Sequence, residues 1–153
     1  MQLNIRGVEV QVKEDQVANI LLQHFTGKAQ ANGHGLDPQG LKEGEQYAGI
    51  ILGKNGEQSH HLILLPGKIE NTDWQKSLDW AKSVGGELPT RREQALLYAN
   101  LKEQFKPEWY WSCEQRAANP DYAWMQVFGN GNQSNLHKSY DNRARAVRRL
   151  IIQ

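Results

Sequence analysis

The stretch ELPTRREQALLYANLKEQF, from Glu87 to Phe105, decides which fold class the sequence belongs to. Thr90 is followed three residues later by Glu93, which is the pattern of a helix capping box. Apolar side chains then recur every four residues and so share one face of a helix: Leu97, Leu101 and Phe105. The stretch therefore predicts an amphipathic helix that begins after Thr90 and packs on a core.

A second helix is predicted just upstream, in WQKSLDWAKSV. Thr72 with Gln75 repeats the capping-box pattern, and Gly85-Gly86 is a typical helix end. Trp74, Leu78 and Ala81 share one face of this helix. Two capped helices in succession are therefore expected.

Short apolar runs surround the two helices. YAGIIL and HHLILL flank Asn55-Gly56, a strong signal for a β-hairpin. EWYWSC, YAWMQVF and RARAVRRLII follow the helices and are rich in strand-forming residues. All five tryptophans lie between positions 74 and 124, so the principal core is expected there. This order predicts an α+β class.

The first 44 residues differ from the rest of the chain in their residue pattern and glycine content. Residues 1–13 alternate polar and apolar positions, which predicts a β-hairpin or a kinked strand, and EDQVANILLQHF has helical spacing. Residues 27–46 hold five glycines and read as a linker or long loop. We therefore expect an N-terminal hairpin–helix appendage with a linker over 1–44, and the main domain over 45–153.

Composition limits the classes of function. The 153 residues carry 18 basic and 17 acidic side chains, a net charge of +1, which does not suggest a nucleic-acid-binding domain. Cys113 is the only cysteine, so no disulfide can form within the chain. No secretory leader pattern and no long apolar run is present, so synthesis in the cytoplasm without a membrane span is expected.

Motifs for catalysis and metal binding give no positive signal. His60-His61 would point to opposite faces of a strand, and the remaining histidines lack metal-ligand spacing. The segment Ala118–Asp121, ANPD, offers too few oxygens for calcium and reads as a turn. Gly129–Asn132, GNGN, lacks the lysine of a phosphate-binding loop. We expect no enzyme activity, no cofactor and no metal.

Three tokens in the second half of the chain carry a resemblance. They are LPTR from Leu88 to Arg91, YWS from Tyr110 to Ser112, and RAVRR from Arg145 to Arg149. In this order, with YAW between the last two, the sequence resembles a family of uncharacterised phage and prophage proteins with a C-type-lectin-like domain. The resemblance covers about Glu45 to Leu150 and departs from the family at Cys113, where a small hydroxyl residue is expected.

The resemblance implies a C-type-lectin-like α+β fold, with two helices packed on twisted, mostly antiparallel sheets. The same superfold holds formylglycine-generating enzymes, a bacterial adhesin domain and receptor-binding proteins that phage retroelements diversify. The oxidising enzymes use a pair of cysteines, which the single Cys113 does not supply. Because this superfold hosts lectins, adhesins and enzymes alike, it implies the fold more firmly than the function.

The C-terminal arginines admit two interpretations. Residues 138–149 carry a local charge of +4, which could hold phosphates. The same residues fit a closing strand, with arginine stems lying over aromatic surface and ion-paired at the surface. The second interpretation is favoured.

Residues 128–142 are rich in asparagine and include Tyr140, a composition that forms loops and also supplies adaptable contacts in binding surfaces. The predicted ligand-binding residues are Trp109, Trp111, Tyr122, Asn130, Asn132, Gln133, Asn135, His137, Tyr140 and Asn142. The expected function is a non-enzymatic binding module of phage or prophage origin that recognises a protein or a cell-surface glycan. The alternatives are a phage-encoded inhibitor of a host defence or regulatory protein and, disfavoured, an oxidising enzyme. Association with a virion is compatible with the first of these functions.

Overall fold

The computed structural model describes residues 2–5, 8–11 and 40–153 of the chain, which divides into two units, 1–40 and 41–153. In the first unit, strands β1 (Gln2–Ile5) and β2 (Val8–Gln11) pair antiparallel. Of the two forms predicted for residues 1–13, these paired strands fit the hairpin. The helix and most of the linker predicted downstream lie outside the described residues.

The second unit begins with a β-hairpin. Strand β3 (Gln46–Ile51) pairs antiparallel with β4 (His60–Leu64). Between them, Asn55 and Gly56 have φ values of 56° and 88°, the left-handed region in which asparagine and glycine are tolerated. The hairpin predicted from Asn55-Gly56 is therefore confirmed.

Two helices follow strand β5 (Ile69–Thr72). Helix α1 spans Trp74–Ser83, and helix α2 spans Arg91–Leu101 and continues as the 3-10 turn Lys102–Gln104. The capping box at the start of α2 is present as predicted. The α-helix stops at Leu101, before the predicted Phe105, whose backbone is extended.

The predicted N-cap of α1 is wrong by one residue. Thr72 is buried as the last residue of β5, and the backbone N–H of Lys76 donates to Asp73 Oδ1 at 2.9 Å. Asp73 is therefore the N-cap. The short connection from β5 places the next side chain, not Thr72, over the free N–H groups of the first turn.

The other strands complete two sheets. Strands β6 (Trp109–Arg116), β7 (Asn119–Val127), β8 (Gln133–His137), β9 (Asn142–Ala144) and β10 (Val147–Ile151) follow in sequence. One sheet has the order β10-β4-β3, and the other has the order β5-β9-β6-β7-β8. Every pairing is antiparallel except that of β6 with β9. The predicted closing strand is therefore two strands, since Arg145 and Ala146 separate β9 from β10.

Strand β6 separates two hydrophobic clusters. Trp111 lies in a cluster with Trp74 and Leu88, whereas Tyr110 lies in a cluster with Leu97 and Phe128. Adjacent residues of a strand point to opposite faces, so a central strand covered on both faces buries both side chains. The first cluster confirms that a tryptophan-rich core lies in this part of the chain.

The two buried indoles also tie β6 to the segment before α1. Trp74 Nε1 donates to the Ser112 carbonyl at 2.8 Å, and Trp111 Nε1 donates to the Thr72 carbonyl at 3.1 Å. A buried indole N–H needs such an acceptor. These two bonds fix the register between β6 and the β5–α1 connection.

Candidate functional site

The arginines near the C-terminus are bound within the domain. Arg148 pairs with Glu45 at 2.7 Å, and Arg143 pairs with Glu70 at 2.8 Å. Arg145 donates to the carbonyl of Leu65 at 3.1 Å, and its guanidinium lies 5.3 Å from the Phe105 ring centre. The favoured interpretation, ion-paired and stacked residues around a closing strand, is therefore confirmed.

Arg149 completes a buried ionic cluster around Glu93, whose exposed fraction is 0%. Glu93 Oε1 accepts from Arg149 Nη2 at 2.7 Å and from the Thr90 N–H at 2.8 Å. Glu93 Oε2 accepts from Arg149 Nε at 2.8 Å and from His60 Nε2 at 2.8 Å. Four donors thus satisfy one buried carboxylate, as burial of a charge requires.

Opposing influences act on the pKa of Glu93. Burial by itself raises it, but hydrogen bonds from Arg149 and Thr90, together with the charge of Arg149, hold it below its usual value. The ionised carboxylate carries no proton, so His60 Nε2 is the donor in this hydrogen bond. The cluster joins α2, β4 and β10.

Three of the predicted ligand-binding residues face inward. Trp111 is 0% exposed, which corrects its assignment as a surface anchor. Trp109 is half-buried and packs against the same core cluster. Asn142 is half-buried, and its Nδ2 donates to Met125 Sδ at 3.2 Å. Alternation on β6 and the pairing of β9 with β6 account for these positions.

Three other predicted residues come together at one end of β8 and form what we call the aromatic patch: Tyr122, His137 and Tyr140. The rings of Tyr122 and His137 meet edge to face at 5.4 Å, and those of His137 and Tyr140 do so at 6.5 Å. Tyr140 is 60% exposed. Asn135 lies two residues before His137 on the same strand, with its Oδ1 at 3.5 Å from Arg116 Nη1.

The polar atoms of the aromatic patch are oriented for contact. The N–H of Ser139 donates to His137 Nδ1 at 3.2 Å, so in the neutral ring the proton lies on Nε2. Within residues 40–153, no hydrogen-bond partner is found for His137 Nε2 or for the hydroxyls of Tyr122 and Tyr140. The patch therefore offers one imidazole N–H and two phenol hydroxyls to solvent.

The last three predicted residues lie at the opposite end of β8, beside a cleft of about 800 Å³. Asn132 and Gln133 line this cleft, and Asn130 shapes its rim by accepting from the Asn132 N–H at 2.9 Å. The first turn of α2 forms a second wall, and the end of β3 with the loop after it forms the third. Glu114 and Gln126 line it from β6 and β7.

Arg91 is held on two sides in the cleft, and it was not among the binding residues predicted from the sequence. Its guanidinium carbon lies 3.6 Å from the centre of the Trp124 ring, and its Nε donates to Gln133 Oε1 at 2.9 Å. Gln133 Nε2 in turn donates to the Arg91 carbonyl at 2.8 Å and to Gln126 Oε1 at 2.9 Å. The only sequence signal was an arginine directly after the N-cap of a helix, which is a common surface position.

Cys113 lies beneath this region as an unreactive thiol. Its backbone N–H donates to the Pro89 carbonyl at 2.9 Å, and burial raises the pKa of its thiol to about 11. Since the thiolate is the nucleophile, a thiol with this pKa is almost wholly protonated near neutral pH. The side chain is half-buried and packs against the tryptophan-rich cluster.

No group of three or more His, Cys, Asp or Glu side chains in the described part of the chain is arranged to hold a metal ion. The helices of residues 40–153 include none that is long and apolar enough to cross a membrane.

No protein-family model matches the chain, and a comparison with curated proteins finds no match either.

Proposed function

We propose that residues 41–153 form a C-type-lectin-like domain of the kind found in phage and prophage proteins. The three sequence tokens that suggested it occupy structurally important positions. LPTR leads into the capping box of α2, YWS lies in the central strand β6, and RAVRR enters the closing strand β10 and supplies Arg149 to the Glu93 cluster. Their placement supports the proposal, since each token holds a different element to the core.

On this domain, the protein functions as a non-enzymatic binding module that recognises another protein through the aromatic patch. The single observation that carries the proposal is the ring cluster at the end of β8, in which Tyr140 is exposed and Tyr122 and His137 are half-buried. Tyrosine supplies large contact area at low entropic cost and is enriched in binding hot spots. A framework of paired strands that presents adaptable side chains is the usual design of such surfaces.

A protein ligand is favoured over a glycan by how the rings are arranged. Sugars stack on the open face of an aromatic ring, whereas the rings of Tyr122 and His137 meet edge to face at an interplanar angle of 83°. This packing gives a compact mixed surface with an imidazole N–H and phenol hydroxyls at its rim. Such a mixture matches the polar and aromatic make-up of a protein–protein hot spot.

The thiol of Cys113 supports the non-enzymatic assignment against the oxidising alternative. Cysteine-dependent oxidation needs a thiolate, and burial raises the pKa of this thiol to about 11. The chain also offers no second cysteine with which to form a pair.

The test is capture of a partner by the full chain, compared with Tyr140→Ala and His137→Ala variants. We expect a stoichiometric protein partner to be retained by the wild type and lost by both variants, since truncation of a hot-spot residue costs about 2 kcal/mol or more. Ile151→Ala is the matched control, because Ile151 is also an exposed large apolar residue, 52% exposed, but lies on the other sheet.

The outcomes separate the candidate functions. A partner that binds the two patch variants as tightly as the wild type contradicts the assignment of the surface. A captured host defence or regulatory protein would identify the module as a phage-encoded inhibitor, whereas a cell-surface protein would identify it as a receptor binder. Binding only to glycans, lost in Tyr140→Ala, would keep the surface but overturn the choice of a protein ligand.

A further inference from the structure

The cleft at the start of α2 is a second site, and we infer that it binds the carboxylate of an acidic sugar, with Arg91 holding the carboxylate. The cleft and the aromatic patch lie at opposite ends of the five-residue strand β8, roughly 13 Å apart at about 3.3 Å per residue. The inference therefore stands whether or not the aromatic patch binds a protein.

Arg91 is held in place before any ligand arrives. Trp124 supports one face of its guanidinium, and Gln133 fixes the edge that carries Nε. Within the described residues, no acceptor occupies Nη1 or Nη2, so four N–H donors are left at the other end of a side chain that lines the cleft. A planar guanidinium fixed in this way matches the two oxygens of a carboxylate and loses little entropy on binding.

A carboxylate fits this cleft better than a phosphate does. Three of the four backbone N–H groups from Thr90 to Glu93 that could cradle a phosphate are already used, because those of Thr90 and Glu93 serve the capping box and that of Arg91 donates to Glu114 Oε2 at 2.6 Å. Glu57 and Glu114 also line the cleft and oppose a dianion. These two carboxylates offset the charges of Arg91 and Arg92, which both line the cleft, so a ligand with one negative charge is favoured over a dianion.

The rest of the cleft suits the hydroxyl groups of a sugar. Glu114 Oε1 and His60 Nδ1 have no partner among the described residues, and the exposed amide of Asn132 can both donate and accept. Leu52 and Ala95 supply a small apolar wall against which one face of a sugar ring can lie. Most of the other residues that line the cleft are polar, so a sugar acid is favoured over the end of a peptide.

The test is a titration of the full chain with glucuronate, and with glucose as the neutral control. NMR follows the backbone signals and the arginine Nε–H signals. We expect glucuronate to shift the signals of Arg91, Asn132 and Glu114 and to bind at least tenfold more tightly than glucose. Arg91→Lys keeps the charge but loses the planar fork, so it should weaken glucuronate binding tenfold or more.

Two further variants keep the inference falsifiable. Arg116→Lys is the matched control, since Arg116 lies on β6 outside the cleft and should bind glucuronate as the wild type does. Asn132→Ala removes only an exposed side chain, and it should weaken binding about threefold even if Arg91→Lys proves unstable. Equal affinity for glucose and glucuronate, or unchanged binding in Asn132→Ala together with Arg91→Lys, would overturn the inference.

A third titration tests whether the cleft binds the carboxyl terminus of a peptide instead of a sugar acid. N-acetyl-leucine and its amide form a matched pair with and without the charge. If N-acetyl-leucine shifts the same signals and binds more tightly than glucuronate, the cleft recognises a carboxyl terminus and the assignment to a sugar acid is wrong.

Discussion

Glu93 links three elements of the larger unit through a single buried carboxylate. Its carboxylate joins the first turn of α2 to His60 on β4 and to Arg149 on β10, with no exposed surface of its own. The Arg149 guanidinium also donates to Glu87 and to the carbonyl of Leu88. A buried charge with four donors gives the closing strand a unique position relative to α2.

We predict that Glu93→Gln destabilises the domain by about 3 kcal/mol, near the lower end of the range for breaking a buried ion pair. The lower end is expected because Arg149 keeps Glu87 as a partner. Urea unfolding measures the effect, and Glu108→Gln is the control, since Glu108 is an exposed glutamate just before β6. A loss below about 0.5 kcal/mol, the range of ordinary surface changes, would contradict this role of Glu93.

The pH dependence of stability follows from the same group. The pKa of Glu93 is lower in the folded chain than its usual value of 4.5, so its contribution to stability is complete above that value. The contribution is lost as the pH falls through the lowered pKa of the folded state. Urea unfolding from pH 7 down to pH 3 should therefore show a steeper loss for the wild type than for Glu93→Gln, and parallel curves would argue against it.

Cys113 gives a chemical test of burial at the residue scale. With a pKa of about 11 against a usual 9.0, its thiolate fraction at pH 8 should be roughly a hundredfold smaller than that of an unperturbed thiol. Alkylation by iodoacetamide should be slower by at least that factor in the native protein and become fast in urea. Fast native alkylation would revive Cys113 as a candidate nucleophile.

At the scale of elements, Gly85 and Gly86 end α1 for two different reasons. Gly85 has a φ of 86°, and its N–H donates to Lys82 while that of Gly86 donates to Ala81, the bonding pattern of a Schellman motif. A Cβ on Gly85 would meet no atom within 4 Å, whereas one on Gly86 would lie 2.5 Å from the Val147 carbonyl oxygen. Glycine is favoured at position 85 because the backbone there is left-handed, and at position 86 because the chain packs closely against β10.

This difference predicts unequal effects on the free energy of unfolding. Gly85→Ala should cost about 1 kcal/mol, and Gly85→Asn less, because asparagine tolerates the left-handed region. Gly86→Ala should cost about 3 kcal/mol, because the backbone of β10 must shift. Thermal unfolding of the three variants measures these losses of unfolding free energy. Equal losses for Gly85→Ala and Gly86→Ala would show that β10 does not pack as closely as described.

Elements that local chemistry determines could be predicted from the sequence. The capping box at Thr90, the Asn55-Gly56 turn and the glycine end of α1 each depend on a few neighbouring residues. The N-cap of α1 was displaced to Asp73 by the packing of β5, which local patterns do not record. Strand lengths near Arg145 were likewise set by pairing with two different sheets.

The candidate site could be predicted only in part, because contacts between residues that are distant in the sequence leave no local pattern. Composition indicated the Asn-rich segment, and two of its residues, His137 and Tyr140, do lie together with Tyr122 of β7. Trp109 and Trp111 lie on the same face of β6, and Trp111 could not be excluded in advance because its burial depends on core residues from distant parts of the chain. The stacking of Arg91 on Trp124 joins two distant positions and leaves no local pattern.

At the scale of the whole molecule, the larger unit forms ion pairs with arginines near its C-terminus and carries two different surfaces. The ion pairs of Arg143, Arg148 and Arg149 hold the closing strands in place. Strand β8 then carries the aromatic patch at one end and the cleft at the other. A binding module with two separate surfaces is the function that this arrangement supports best.

The measurement that tests this account most directly is hydrogen exchange of the full chain with and without its captured protein partner. We predict slower exchange on binding in β7, β8 and the turn through Tyr140, with little change in β3 and β10 on the other sheet. Protection confined to β3 and β10, with β8 and Tyr140 unaffected, would contradict the assignment of the aromatic patch as the binding surface.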